Sequence, residues 1–334
     1  MSGAHLPSRR QWAIAAGFLG CLLVPLTLVG WALGGPLALA ALPGVAVGFV
    51  VTLQARSARV GLLAVAVMAA LALVSTLAAA STPVAAVWLG LVGVAYGLSG
   101  LRGWHRLTMQ MAIWCAYIVV NPLQAAGETK LTRIGAVDAS LSAAVATALA
   151  VLAAGAVMAV LAGRVARRDP LPPAPVLARH RACALAAAAG GLLALGTAVI
   201  LGAERLVAGE WLLLTVIVLL QPDAAATLRH TAERVAGTLV GVLAAVGIAL
   251  ALGDSGLRVA LALALMVAAF AYLQVPNRYW LYVALFTPGL VLLSSPPGEA
   301  DAVAAARLGF TLVGAIAVAA VALALSRLDR PSVG

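Results

Sequence analysis

Twelve apolar stretches run through this chain, in two sets of six on either side of one short basic segment, 164–181. The first set covers 12–33, 36–53, 60–80, 83–101, 107–120 and 134–163. The second covers 182–202, 208–221, 235–252, 257–274, 279–293 and 303–325. The hydrocarbon core of a bilayer takes about 20 apolar residues per helix, with a wide range. With 64% hydrophobic and 10% charged residues over 334 positions, the chain cannot coat a water-soluble globule, whose charged fraction is about a quarter. Ala, Leu, Val and Gly fill the stretches without the strict alternation of a β-barrel. Every backbone N–H and C=O inside a bilayer must be paired within the protein, which leaves helices as the solution. The expected fold is an all-α membrane protein of about twelve transmembrane helices.

Charge sets the orientation. A formal charge of +10 in a soluble protein would point to nucleic acid. Here the basic residues alternate between loops instead. With the N-terminus inside, the inner segments hold Arg9, Arg10, Arg56, Arg59, Arg102, Arg106, the arginines of 164–181, Arg229, Arg234, Arg278, Arg327 and Arg330. The outer segments hold only Lys130, Arg133, Arg205, Arg258 and Arg307, together with Glu204, Glu210, Asp254, Glu299 and Asp301. This is the positive-inside pattern, and shifting the span count by one would scramble it. With an even number of spans it puts both termini on the cytoplasmic side of a multi-pass chain in the lipid bilayer, and the membrane expected is the bacterial cell inner membrane. Arg9 and Arg10 precede an apolar run as in a signal peptide, but no A-x-A site follows, so the run is read as a first span.

The segment 164–181 reads RVARRDPLPPAPVLARHR. Pro172, Pro173 and Pro175 prevent a continuous helix and favour an extended cytoplasmic linker. The expected division is therefore 1–163, linker 164–181, and 182–334, with no soluble domain. Arg59 and Arg234 open the third and ninth spans, and Arg133 and Arg307 precede the sixth and twelfth, at offsets of 175 and 174 residues. Six spans per half start both copies on the same face, so the halves are expected to be parallel six-helix repeats. Gly44-x-x-x-Gly48, Gly93-x-x-x-Gly97 and Gly237-x-x-x-Gly241 mark close helix approaches.

No nucleotide-binding loop, zinc-protease helix or nucleophile elbow is present. Cys21, Cys115 and Cys183 are scattered without metal or disulfide spacing, and the four histidines are isolated. The chain is therefore read as a non-enzyme with no catalytic residue, no metal and no cofactor. The fifth span of each half is irregular: 107–120 ends at Asn121-Pro122, and 279–293 is interrupted by Thr287-Pro288-Gly289. Proline-broken spans at matching positions in two halves point to a transport path. Arg133 and Arg307 follow those spans, and a guanidinium fork matches the two oxygens of a carboxylate. Asn121, Thr287, Pro288, Arg133 and Arg307 are thus the candidate pathway. Asp138 lies about 13 Å into its helix at 1.5 Å per residue, where an acid is costly unless paired or hydrated. It is the candidate proton-coupling group. Arg59, Arg229 and Arg234 flank cytoplasmic entrances and are candidates for steering anions.

The stretch Trp211 to Gly241, WLLLTVIVLLQPDAAATLRHTAERVAGTLVG, carries Gln221-Pro222, a basic segment, and then Arg234-x-x-Gly237-Thr238-x-x-Gly241. It resembles the fusaric acid resistance protein-like family, which includes bacterial aromatic acid exporters. Asn277-Arg278-Tyr279-Trp280, Phe286-Thr287-Pro288, and Arg307 followed by Gly314 are similar to that family as well. Plant malate channels look distantly related, with an anion path between two six-helix units. The resemblance covers about 205–325 and is weak before it: Arg59 opens its span, but no Gly-Thr-x-x-Gly follows. It implies export of organic, often aromatic, carboxylates, driven by the proton gradient. The partners expected are a small organic anion and lipid, with no nucleic acid, and with a homo-oligomer left open. The rival readings are a passive anion channel, a ten-span drug/metabolite exporter with inverted halves, and a membrane scaffold without substrate.

Overall fold

In the computed structural model, residues 6–17, 19–20, 23, 35–121, 136–165, 176–202, 209–221, 223–275, 277–295 and 298–328 are described. Among them the structure is helical throughout, without a strand. The helices are α1 (Gly35–Ala55), α2 (Ala58–Ala78), α3 (Thr82–Ser99), α4 (His105–Val120), α5 (Ala136–Val165), α6 (Arg179–Gly202), α7 (Glu210–Leu219), α8 (Ala224–Leu252), α9 (Gly256–Leu273), α10 (Tyr279–Ser294) and α11 (Ala300–Leu328). Residues 9–17 are helical too. Each helix falls on a predicted apolar stretch. Seven of the described helices are long and apolar enough to cross a membrane, and three shorter apolar helices accompany them. Their outer faces carry Leu195, Leu243, Leu250 and Ile316 at 66–83% exposure, a surface that suits hydrocarbon and not water.

Local chemistry sets the helix ends. Ser57 caps α2 through its side chain, which accepts from the Val60 N–H. Ser255 does the same for α9 at the Arg258 N–H, and Asp223 caps α8 at the Ala226 N–H, 2.7 Å away. Each cap satisfies one donor that the first turn leaves unpaired. Gly253 stops α8 at φ +56°, a left-handed position open to glycine. Buried threonines return their hydroxyls to their own helix, as Thr231 does to the Thr227 carbonyl at 2.7 Å and Thr197 to Leu193 at 2.6 Å. Such back-bonding lets a polar side chain sit in an apolar interior.

The chain divides into two compact units, Cys21–Leu206 and Met1–Gly20 with Val207–Gly334. In this grouping α6, which follows the proline-rich linker, goes with α1–α5, and the first 20 residues go with the later helices.

In the Cys21–Leu206 unit, α5 packs along α1 and α2, α3 packs along α6, and α4 rests on α2 and α3. Small residues make these approaches. Gly44 and Gly48 lie against the backbone of Val151 and Gly155, and a Cβ on Gly155 would stand 2.8 Å from the Gly44 carbonyl oxygen. A Cβ on Gly93 would meet Ala189 at 2.7 Å. Dispersion contacts between close backbones hold such interfaces where lipid offers no hydrophobic contrast.

In the other unit, α10 packs between α8 and α9, α11 packs on α8, and α7 packs on α11. A reciprocal amide pair closes one end: Gln11 donates to the Gln274 carbonyl at 3.0 Å, and Gln274 donates to that of Gln11 at 3.2 Å. At the other end the buried Arg258 donates to the Leu292 carbonyl through two nitrogens, at 3.2 and 3.0 Å, and to the Ser295 carbonyl at 3.1 Å. It also bonds Asp254 one turn back. Arg258 thereby satisfies carbonyls that the end of α10 leaves open.

Candidate functional site

One face of α8 organises the second unit. His230, Arg234, Thr238 and Gly241 lie at spacings of four, four and three, and Gly237 stands three after Arg234 and four before Gly241, which places them on one face. That face meets α10. A Cβ on Gly237 would stand 2.5 Å from the Trp280 carbonyl oxygen and 2.8 Å from Val283 Cβ. On Gly241 it would stand 2.6 Å from Thr287 Cβ and 3.0 Å from the Ala284 carbonyl oxygen. Ala284 is four residues before Pro288, so its carbonyl is the one that the proline leaves without a helix donor. With glycine at 241, α8 comes close to that carbonyl where a side chain could not fit. The expected interruption at Thr287-Pro288-Gly289 is therefore absent: α10 runs unbroken from Tyr279 to Ser294 with Pro288 inside it. Gly314 performs the same service between α11 and α7, where a Cβ would meet Thr215 at 3.0 Å.

These close approaches bring two arginines and a run of aromatic rings together. Arg307 on α11 is 2% exposed, and Arg234 on α8 is 8% exposed. Arg307 lies over Trp211 of α7, its Cζ 3.7 Å from the ring centroid, and 5.8 Å from that of Phe286. It donates to Thr287 Oγ1 at 3.4 Å. Arg234 donates to the Tyr279 hydroxyl at 3.1 Å. From Tyr279 the rings continue along α10: Tyr282 follows at 5.8 Å between centroids, and Phe286 stacks on Tyr282 at 5.3 Å. Phe270 of α9 closes on Tyr282 at 6.5 Å and on Phe286 at 6.1 Å. His230 lies against Tyr279 at 5.2 Å.

Among the described residues the two guanidiniums are only partly satisfied. Nε and Nη1 of Arg307 and Nε of Arg234 are buried without a hydrogen-bond partner. Among the described residues neither arginine has an ion pair. The strongest charged influence on Arg307 is the like charge of Arg234, and the opposing carboxylate of Glu210 acts more weakly. Unpaired buried cationic donors are expensive, at several kcal/mol per ion after relaxation. Aromatic faces offset part of that cost. An anion carrying paired oxygens would offset more.

Thr287, Pro288 and Arg307 thus fall in one cluster, and Arg234 joins them. Arg234 stands eleven residues inside α8, because Asp223 starts that helix well before the apolar run begins. Arg229 stays outside, exposed, bonded to Glu233 at 3.0 Å and to Asn277 at 2.8 Å. Asn277, at φ +59°, turns the chain into α10 and so aims Tyr279. Arg59 is exposed in the first turn of α2. Asn121 caps α4 in the Cys21–Leu206 unit, its amide donating to the Tyr117 carbonyl at 3.3 Å. Arg133 and the side chain of Asp138 lie outside the described residues. The rings of Tyr279, Tyr282 and Phe286 carried a signal that sequence reading passed over: spacings of three and four put them on one helix face, beside the proline already singled out.

Fold and cluster together define a multi-pass, all-helical membrane protein with a buried cationic and aromatic centre. Residues 193–321 match the family described as fusaric acid resistance protein-like, and the segment carrying the whole cluster lies within that match. The match begins within α6 and ends within α11. No curated protein and no solved structure matches the chain.

Proposed function

We propose that the protein is a membrane transporter that exports organic carboxylates, aromatic ones above all. The observation that carries this reading is Arg307: a guanidinium 2% exposed, with two donors left open and Trp211 against its face. A carboxylate would take the open donors, and Arg234 would share the charge. The rings of Tyr282, Phe286 and Trp211 would accept the flat body of the substrate, since offset and edge contacts between rings add to burial. Thr287 would steady Arg307 as the substrate arrives. The fusaric acid resistance protein-like match over 193–321 supports the same assignment.

The rest of the reading follows from sequence. The chain lies in the inner membrane with both termini in the cytoplasm, and the two halves are parallel repeats. The grouping of the first 20 residues with the later helices, and of α6 with the earlier ones, fits repeats that exchange their first helix. The test is efflux of radiolabelled benzoate from cells carrying the protein. Arg307→Ala and Arg234→Ala are expected to abolish it at unchanged membrane abundance. Full efflux from the double variant would sink the site.

A further inference from the structure

His230 has no part in the site so far. It lies one turn before Arg234, on the same face of α8, where side chains four apart are neighbours. Its ring meets Tyr279, centroid to centroid at 5.2 Å, and the Tyr279 hydroxyl accepts from Arg234. His230, Tyr279 and Arg234 are therefore one contiguous group. Nδ1 stands 2.9 Å from the Ala226 carbonyl oxygen. A carbonyl only accepts, so Nδ1 carries the hydrogen and Nε2 is the atom that gains a proton. No partner occupies Nε2 among the described residues.

We propose that His230 is a proton-linked member of the anion site, and that the site binds a planar carboxylate more tightly when His230 is protonated. The inference rests on the anion site proposed above. Its surroundings give the sign. On α8 the charges near His230 are Arg229, already bonded to Glu233, and Arg234. The turn into α10 adds Arg278, with Tyr279 and Tyr282 beyond it. Arg9 and Arg10 lie just before Gln11, which bonds Gln274 at the end of α9, and the last turn of α9 adds only Tyr272. Arg307 and Glu210 stand with the deeper part of the cluster. The balance is cationic. A proton on Nε2 adds one more positive charge to it. A carboxylate on Arg234 reverses that balance.

Anion binding therefore raises the proton affinity of His230, and by reciprocity protonation raises anion affinity by the same factor. The gain in anion affinity is present at the acid end of the range and is lost as pH rises. On the orientation that the charge pattern predicts, His230 faces the cytoplasm. A weak acid that enters and releases its proton there would tighten the site for its own anion.

The test uses the purified full chain in lipid nanodiscs, with radiolabelled benzoate as probe, by equilibrium dialysis between about pH 5.5 and 8, the range in which histidine exchanges its proton. Benzoate stays ionised throughout. Affinity is expected to fall about tenfold across the range. His230→Gln is expected to flatten the profile to less than about twofold. A persistent tenfold fall in His230→Gln overturns the inference. Wild-type binding that does not vary with pH overturns it too, while leaving the anion site standing; this arm needs no variant to fold. No benzoate binding at any pH removes the site and the proton link together.

Discussion

Gly241→Ala and Gly247→Ala place the same methyl group on the same helix with opposite consequences. The gain in helix propensity is common to both, about 1 kcal/mol for alanine over glycine. At Gly247 a Cβ meets nothing within 4 Å, so that variant keeps the gain. At Gly241 the Cβ would stand 2.6 Å from Thr287 Cβ, with the Ala284 carbonyl oxygen and Pro288 Cδ both at 3.0 Å. Carbon atoms rest at about 3.5–4.0 Å, so α10 must retreat by about 1 Å. The near atoms belong to backbone, proline ring and a Cβ, none of which can swing aside. Overpacking of this kind costs about 1–3 kcal/mol, and the difference between the two variants isolates that cost. The displacement also reaches the site. Thr287 moves with α10, and its bond from Arg307, already 3.4 Å, would open. Thermal unfolding in detergent and benzoate binding at one pH measure both effects. Gly241→Ala should unfold about 1–3 kcal/mol below Gly247→Ala and bind benzoate several-fold more weakly. Equal stability and equal binding in the two variants would refute the contact between α8 and α10.

Arg258→Met leaves the carbonyls of Leu292 and Ser295 without their donor; it should lower stability by about 3 kcal/mol and speed hydrogen exchange at the end of α10. Trp114→Phe removes a buried indole N–H that has no partner among the described residues, so unfolding should show no loss, or a gain of up to about 1 kcal/mol. In a Cys21→Ser background, a maleimide should label the exposed Cys183 and spare the buried Cys115 until the chain is denatured. An impermeant maleimide should reach Cys183 only from the cytoplasmic face, and labelling from outside would reverse the proposed orientation.

Hydropathy located the helices within a few residues because burial in lipid demands long apolar runs. It mislocated the start of α8, since the first turns, with Arg229, Glu233 and Arg234, are too polar to enter an apolar window although Asp223 caps a helix there. That error turned a buried site arginine into a surface one. Arg307 and Thr287 were legible as candidates, because the threonine sits beside the proline of a span and the arginine follows that span. Pro288 was misjudged as a break: proline removes one donor, and nothing in its own sequence tells that Gly241 sits opposite the freed carbonyl. The ring cluster was hidden for a related reason, since Trp211 and Phe270 reach it from other helices, and helix pairing is not written in any one segment.

The grouping of Met1–Gly20 with Val207–Gly334 bears on how the chain is made. A ribosome delivers the opening residues first, yet their packing partners leave it last. Until α9 and its Gln274 are synthesised, Gln11 has no amide to clasp, and the nascent N-terminal helix must be sheltered by lipid or by the insertion machinery. The α6 helix has the opposite timing: it emerges just after the linker and completes the earlier unit at once. Cutting the gene within 164–181 would therefore not yield two self-sufficient proteins. Each fragment would lack a helix carried by the other, and only co-expression would supply both.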